Sequence, residues 1–320
     1  MNRQPMTTRS AGDDHFCHVV TPDGVRLDGR LQTVRDGERR ADSTSPIDLF
    51  LLLHGSASNF YAPGVLERFA NDAIAAGVDA LRINTRGHDA IAHLTGPGKL
   101  RLGGAAYETV AHCRYDVYAW LDEFYRRGYR RVCLVGHSMG GVKSLYAQAN
   151  DRHALVKAVV AISAPRFCHR QLMDDPRTQN FRDDWARAQQ LVAEGRGEEL
   201  IRITQPMPLL IQASGFVAKY GSDDRYDFLK LIPRIDVPVH VIIGGETLKT
   251  SPAFGKLDEQ LQSLQGSSPH LALSVVAGAE MNYRISPERP FEIASRWLKD
   301  VVSSSNDQQA TAPMLPTKVD

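Results

Sequence analysis

The sequence predicts an α/β fold: a mostly parallel, doubly wound sheet with helices on both faces. Three observations predict it. Short continuous apolar blocks recur at Leu49–Leu53, Ala80–Ile83, Val132–Val135, Val159–Ile162, Val237–Ile243 and Leu271–Val276, the pattern of strands buried on both faces. Helical periodicity lies between and after them. Val110, Cys113, Val117, Trp120, Leu121 and Phe124 recur at spacings of three and four, and Trp297, Leu298 and Val301 do the same behind Pro290, so each stretch presents one apolar face. Finally, the block Val132–Val135 runs directly into Gly136-His137-Ser138-Met139-Gly140 and the helix-forming stretch Val142–Ala149, a strand-turn-helix unit. Strands alternating with helices build a sheet covered on both sides.

The remaining elements follow in chain order. Residues 1–15 are polar, lack an apolar signal core, and are expected to form a flexible N-terminus. Phe16–Val20 and Val25–Leu31 flank Thr21-Pro22-Asp23-Gly24, a turn cluster that predicts an antiparallel hairpin on the sheet edge. The core is expected to span 16–164 and 237–303. Between them, 165–236 holds helical stretches such as Phe181–Glu194 but no core-type strand, which predicts a helical insertion. Its apolar residues Met207, Leu209, Leu210, Ile211, Phe216, Val217 and Tyr220 either pack it down or line a pocket. The polar tail 304–320, with scattered prolines, is expected to be disordered.

Composition excludes several classes of function. Lys and Arg number 38 against 37 Asp and Glu, with no dense basic stripe, so neither nucleic acid nor an anionic membrane is an expected partner. No apolar run reaches the ~18 residues of a membrane span. Cys17, Cys113, Cys133 and Cys168 form no Cys-x-x-Cys pair and no metal-ligand spacing. These features predict a cytoplasmic protein with free thiols, no metal and no cofactor.

Gly136-His137-Ser138-Met139-Gly140 carries the chemistry. A serine on a sharp strand-to-helix turn needs glycine at the flanking positions, because the two backbones pass too closely for a Cβ. The turn also sets Ser138 and the Met139 N–H at a helix N-terminus, where negative charge is stabilised. With its strand before and helix after, the motif resembles the nucleophile elbow of the α/β-hydrolase family, and the resemblance extends over about residues 45–303. It implies a helical cap at 165–236 and a small-molecule carbonyl substrate. Leu53-His54-Gly55-Ser56-Ala57-Ser58 resembles the family's H-G-x loop. The implied oxyanion hole is then the Ser56 N–H, or that of Ala57, with the Met139 N–H. His54, Gly55, Ala57 and His137 are implied to border the substrate, His54 orienting its loop through a hydrogen bond. Arg86-Gly87-His88-Asp89 resembles the family's R-G-h-x turn and implies loop shaping; the glycine-rich run Gly96–Gly104 is a candidate flap.

The family acid follows the strand Val237–Ile243, where Glu246 is the carboxylate within reach. At the family's histidine turn the chain reads Gly278-Ala279-Glu280-Met281-Asn282-Tyr283, which places Met281 in the His position. A thioether cannot accept the Ser138 proton. His270 starts the last strand, roughly 20 Å away at the wrong end of the sheet. His54, His88, His137 and His169 follow strands at the right edge and are the candidates for a relocated base. Three readings follow: an atypical hydrolase or acyl-transfer enzyme working through Ser138 and Glu246 with weak turnover of simple esters; a non-hydrolytic enzyme of cyclase or lyase type; and a non-catalytic binding protein on the same scaffold.

Overall fold

The computed structural model describes residues 13–34, 45–96 and 100–301. An eight-stranded sheet organises it. Strands β1 (Asp13–Val20) and β2 (Arg26–Thr33) form the expected hairpin, and β3 (Leu49–Leu53) follows. Helix α1 (Val65–Ala75) leads to β4 (Asp79–Ile83). A small separate hairpin, β5 (Ala92–Leu94) with β6 (Arg101–Gly103), precedes helix α2 (Cys113–Arg126). Then come β7 (Val132–His137), α3 (Met139–Asp151) and β8 (Val156–Ile162).

The insertion holds α4 (His169–Asp174), α5 (Gln179–Ala193), β9 (Leu200–Ile203), β10 (Leu209–Gln212), α6 (Ala213–Tyr220) and α7 (Phe228–Leu231). The chain closes with β11 (Val239–Gly244), α8 (Gly245–Thr250), α9 (Leu257–Gln265), β12 (Leu271–Val276) and α10 (Pro290–Val301).

The strand order is β1-β2-β4-β3-β7-β8-β11-β12, antiparallel at β1/β2 and β2/β4 and parallel elsewhere. Alternation along each strand divides the core into two layers. Leu49, Leu51 and Leu53 of β3 and Val132 and Leu134 of β7 face the layer packed by α2 and α3. Phe50, Leu52, Cys133 and Val135 face the layer of α1 and α10. This period of two explains why both strands read as unbroken apolar runs: each neighbour is buried, on opposite faces. The chain leaves β3 for β4 on one side and returns to β7 on the other. Leu53 and Gly136 are register partners, so the loops after β3 and β7 meet at the switch point, where open α/β sheets bind ligands.

Two expectations need correction. The strand β1 begins at Asp13, so residues 13–15 are paired rather than flexible. Asp13 lies opposite Thr33 and Arg30 Nε donates to Asp14 at 3.0 Å, which a polarity reading misses because one face of an edge strand is solvated. The insertion is not wholly helical, since β9 and β10 pair as a hairpin. Its short strands alternate too briefly for the pattern to register. Residues 1–12 and the tail 304–320 lie outside the described residues.

Inside the insertion the apolar residues are mainly packing. Phe181, Trp185, Phe216 and Tyr220 form one aromatic cluster with Phe167 and His169. Leu209 and Ile211 are buried with them, whereas Leu210 is exposed. Among the described residues no helix is long and apolar enough to cross a membrane. All four cysteines are free.

Candidate active site

Ser138 caps α3 with φ +53° and ψ −123°, a backbone conformation that costs of order 1–3 kcal/mol for a residue with a side chain. The flanking glycines make the turn possible. A Cβ on Gly136 would lie 2.1 Å from the Gly140 carbonyl oxygen, and one on Gly140 would lie 2.1 Å from that of Leu53. The Ser138 N–H donates to Ile162 O at 2.9 Å, which fixes the turn to β8. Its side chain is buried and lies against Gly55, where an added Cβ would come within 3.2 Å of Ser138 Cβ.

The loop after β3 is shaped by His54. Its Nε2 accepts from the Thr85 backbone N–H at 3.1 Å, and since that group can only donate, the ring proton must sit on Nδ1, which donates to Gly55 O at 2.8 Å. Burial, with the nearby charge of Lys143 adding, pushes the imidazole down to about 3. His54 is therefore neutral with both nitrogens committed, and it holds the Gly55 carbonyl turned away. Ala57 has φ +54°. Among the described residues the N–H groups of Ser56, Ala57 and Met139 have no acceptor; Met139 follows Ser138, and Ser56 and Ala57 follow Gly55, which lies against it.

Three other predicted positions are only partly assembled. The turn 277–283 does reach the elbow: the His137 Nε2–H donates to the Met281 carbonyl at 3.0 Å, and the Met281 side chain packs against the core, half-buried. Burial, opposed by that hydrogen bond, lowers the His137 pKa. Glu246 stands where expected, with its N–H on Ala279 O at 3.0 Å. Its carboxylate, however, turns outward to Lys249 Nζ at 2.7 Å and is 45% exposed, so it orients no imidazole. Ser138 Oγ likewise has no histidine partner among the described residues.

The remaining histidines differ in what holds their rings. His169 Nδ1 donates to Tyr220 O at 2.9 Å and its ring rests on Trp185, a packing role. His88 donates from Nδ1 to Asp89 Oδ2 at 2.8 Å, and Asn59 Nδ2 holds the other carboxylate oxygen at 2.7 Å. Its Nε2 has no partner among the described residues. Asp89, at φ +58°, donates its N–H to Ser58 O at 2.8 Å, tying this pair to the loop after β3. Arg86 beside it anchors the turn. It reaches Asp116 on α2 at 2.8–2.9 Å and Asp23 of the N-terminal hairpin at 2.8–2.9 Å, the loop-shaping role expected. Of the candidate flap, residues 97–99 lie outside the described residues; its base is pinned by Gly104 N–H to Arg86 O at 2.9 Å.

Sequence reasoning missed a buried charged cluster under this loop. Lys143 of α3 donates to Thr85 Oγ1 at 2.9 Å and pairs with Glu108, both side chains being almost fully buried. Burial works to raise the Glu108 carboxyl and the Lys143 ammonium overrides it, leaving it below the usual range. The available signal was a lysine inside the helix-forming stretch Val142–Ala149, directly after the elbow. Breaking such a pair strands one charge. Glu108→Gln and Lys143→Met are each expected to cost about 3–5 kcal/mol and the double replacement less than either, as read by calorimetric unfolding.

Cys168, Asp224 and Asp227 are close enough to share a metal ion. Their oxygens already accept from cations, Asp227 from Arg166 at 2.8 Å and Asp224 from Lys230 at 2.7 Å, so the donor set does not suit one.

A strained serine at a strand-to-helix turn, at the switch point of a mostly parallel sheet, is the geometry of a nucleophile elbow. The chain belongs to the alpha/beta hydrolase family, whose sequence profile matches residues 50–279. No curated protein matches it by sequence. Solved structures similar to it include an esterase from Pyrococcus furiosus (18% identity, 91% of this chain and 92% of that one, TM-score 0.57). A monoacylglycerol lipase from Paleococcus ferrophilus is similar at 17% identity, over 90% and 99% of the two chains, with a TM-score of 0.56. The alpha/beta hydrolase GrgF from a Penicillium species is similar at 14% identity, over 91% and 99%, with a TM-score of 0.63. At these identities the likeness establishes the fold.

Proposed function

We propose that the chain is an enzyme acting on an ester, thioester or related carbonyl compound, with Ser138 as nucleophile and the Met139 and Ser56 N–H groups as oxyanion donors. The observation that carries this reading is the strained Ser138 beside backbone N–H groups that have no acceptor among the described residues. A tetrahedral oxyanion would satisfy them; one aimed donor is worth about 2.7–4 kcal/mol in a transition state. Ser138 Oγ bonds to the carbonyl carbon, the leaving group departs with the C–O or C–S electron pair, and the seryl proton passes to water because Met281 cannot take it. Turnover of simple esters is then slow, and its rate climbs with pH without an inflection in the imidazole range.

The test is p-nitrophenyl butyrate with intact-mass detection. The expected result is a butyryl adduct on Ser138 that deacylates slowly and is absent from Ser138→Ala. Turnover without any adduct, unchanged in Ser138→Ala, would instead place the chemistry on the pocket alone, as in a cyclase or lyase. Neither adduct nor turnover would leave a binding protein.

A second reading has one observation in its favour: His88, oriented by Asp89, keeps Nε2 free, the arrangement a general base requires. It predicts that His88→Ala removes as much activity as Ser138→Ala, and that the native pH profile inflects in the imidazole range.

A further inference from the structure

The buried charges beneath the cap do not balance. Lys143 and Glu108 neutralise each other, but a third charged side chain, Lys219 of α6, lies near them and is only 5% exposed. Its ammonium makes no hydrogen bond or ion pair among the described residues. What it has are aromatic faces: Nζ sits 5.3 Å from the Phe167 ring centre and 5.4 Å from that of Tyr220. Phe167 belongs to the segment that leaves β8 at the C-terminal edge of the sheet, the edge that carries Ser138.

The neighbourhood is fixed. The Gln212 N–H, just before α6, donates to Ala106 O at 2.9 Å, and a Cβ added to Gly215 on the first turn would lie 3.8 Å from Glu108 O. The first two turns of α6 are thereby held against the loop that carries Glu108. Glu108 in turn fills the space beside Gly87, where an added Cβ would meet its carboxylate at 2.3 Å. The carboxylate is thus wedged between Gly87 and Lys143 rather than turned to Lys219.

A largely buried ammonium with no acceptor among the described residues loses more than two ring faces return, and the Lys219 Nζ is not wholly enclosed, so a ligand can reach it. Burial, with Lys143 adding and Glu108 opposing, pulls it down to about 8, so most of it still carries its proton at neutral pH. Among the described residues the cluster is one negative charge short, and an anionic group brought by a ligand would balance it.

We propose that Lys219 receives a carboxylate carried by the substrate, so that the site is built for half-acid carbonyl compounds: an ester or thioester at one end, held by Ser138 and the oxyanion donors, and a carboxylate at the other. This deepens the proposed function and rests on it for the ester end alone; the carboxylate end is tested without turnover.

Calorimetric titration of the full chain bearing Ser138→Ala compares monoethyl glutarate with diethyl glutarate, which differ by one negative charge. The monoethyl ester is expected to bind about tenfold or more tightly, the scale of a charge-assisted hydrogen bond. Adding Lys219→Met should bring the ratio close to one, and adding Lys219→Arg should retain part of it; thermal unfolding of each variant confirms that it is folded. Equal affinity for the two esters in the Ser138→Ala chain, or a preference that survives Lys219→Met, overturns the proposal. Should Lys219→Met not fold, loss of the preference on raising the pH of the Ser138→Ala chain past 9 supports it, and an unchanged preference there overturns it. Because nothing is hydrolysed, a failed acyl-enzyme experiment and a failed carboxylate preference are separate results.

Discussion

Met281→His is expected to raise hydrolysis of p-nitrophenyl butyrate about a hundredfold and no further. The bound comes from comparing two losses. In a serine protease of another fold, removing the histidine costs about 2 × 10⁶ in kcat, and removing only the acid costs about 3 × 10⁴. Restoring an imidazole without an oriented acid therefore recovers the ratio, about 10². The structure places this chain in that situation, because the turn bearing Met281 touches the elbow through His137 while Glu246 is paired with Lys249 in solvent. Steady-state rates of the native chain, Met281→His and Met281→His with Ser138→Ala decide it. The double variant should fall to background. A native rate that Met281→His does not improve means that a base already serves Ser138, with His88 the first to replace. A gain of 10⁴ or more means that Glu246 leaves Lys249 and orients the new ring.

Gly140→Ala is expected to destabilise the chain by more than about 3 kcal/mol, lowering Tm by about 10 °C or preventing folding. The new Cβ would stand 2.1 Å from Leu53 O and 2.7 Å from His54 O. These are backbone atoms of the central strand and the oxyanion loop, so nothing can swing aside. Gly77→Ala is the control. It has φ +84° but nothing within 4 Å of the added Cβ, and it should cost only the ~1 kcal/mol of a left-handed alanine. Differential scanning calorimetry of the two variants separates steric closure of the elbow from general glycine strain. A Gly140→Ala chain as stable as Gly77→Ala would mean that the start of α3 does not pack against the end of β3 as described.

Much of the fold was legible before any coordinates. Every apolar block listed from the sequence is a strand of the central sheet, with ends shifted by no more than a few residues, because strands buried on both faces leave continuous apolar runs. Helix α1 was missed although Val65, Phe69, Ala70 and Ala73 are buried on one face; its Glu67, Arg68 and Asp72 break the apolar signal. The Gly-x-Ser-x-Gly turn was legible for a steric reason, since few sequences other than small-x-Ser-x-small permit that close approach. Glu246 does follow the strand β11, but the direction of its carboxylate was not readable in the sequence. That direction is set by Lys249 one helical turn on, and by the absence of an imidazole to compete.

What the sequence determined by itself is therefore what local pattern encodes: the strands, most large helices and the serine at the tip of a strained turn. Only the tertiary structure decided which polar groups meet. Glu108, Lys143 and Lys219 come from a loop, a core helix and the insertion, and His88 is set apart from His54, His137 and His169 by the Asp89 carboxylate that orients its ring. Hydrophobic burial is written in the period of each segment, because any apolar face will serve it. A buried charge needs one specific partner at hydrogen-bond distance, and that distance exists only once the layers have stacked.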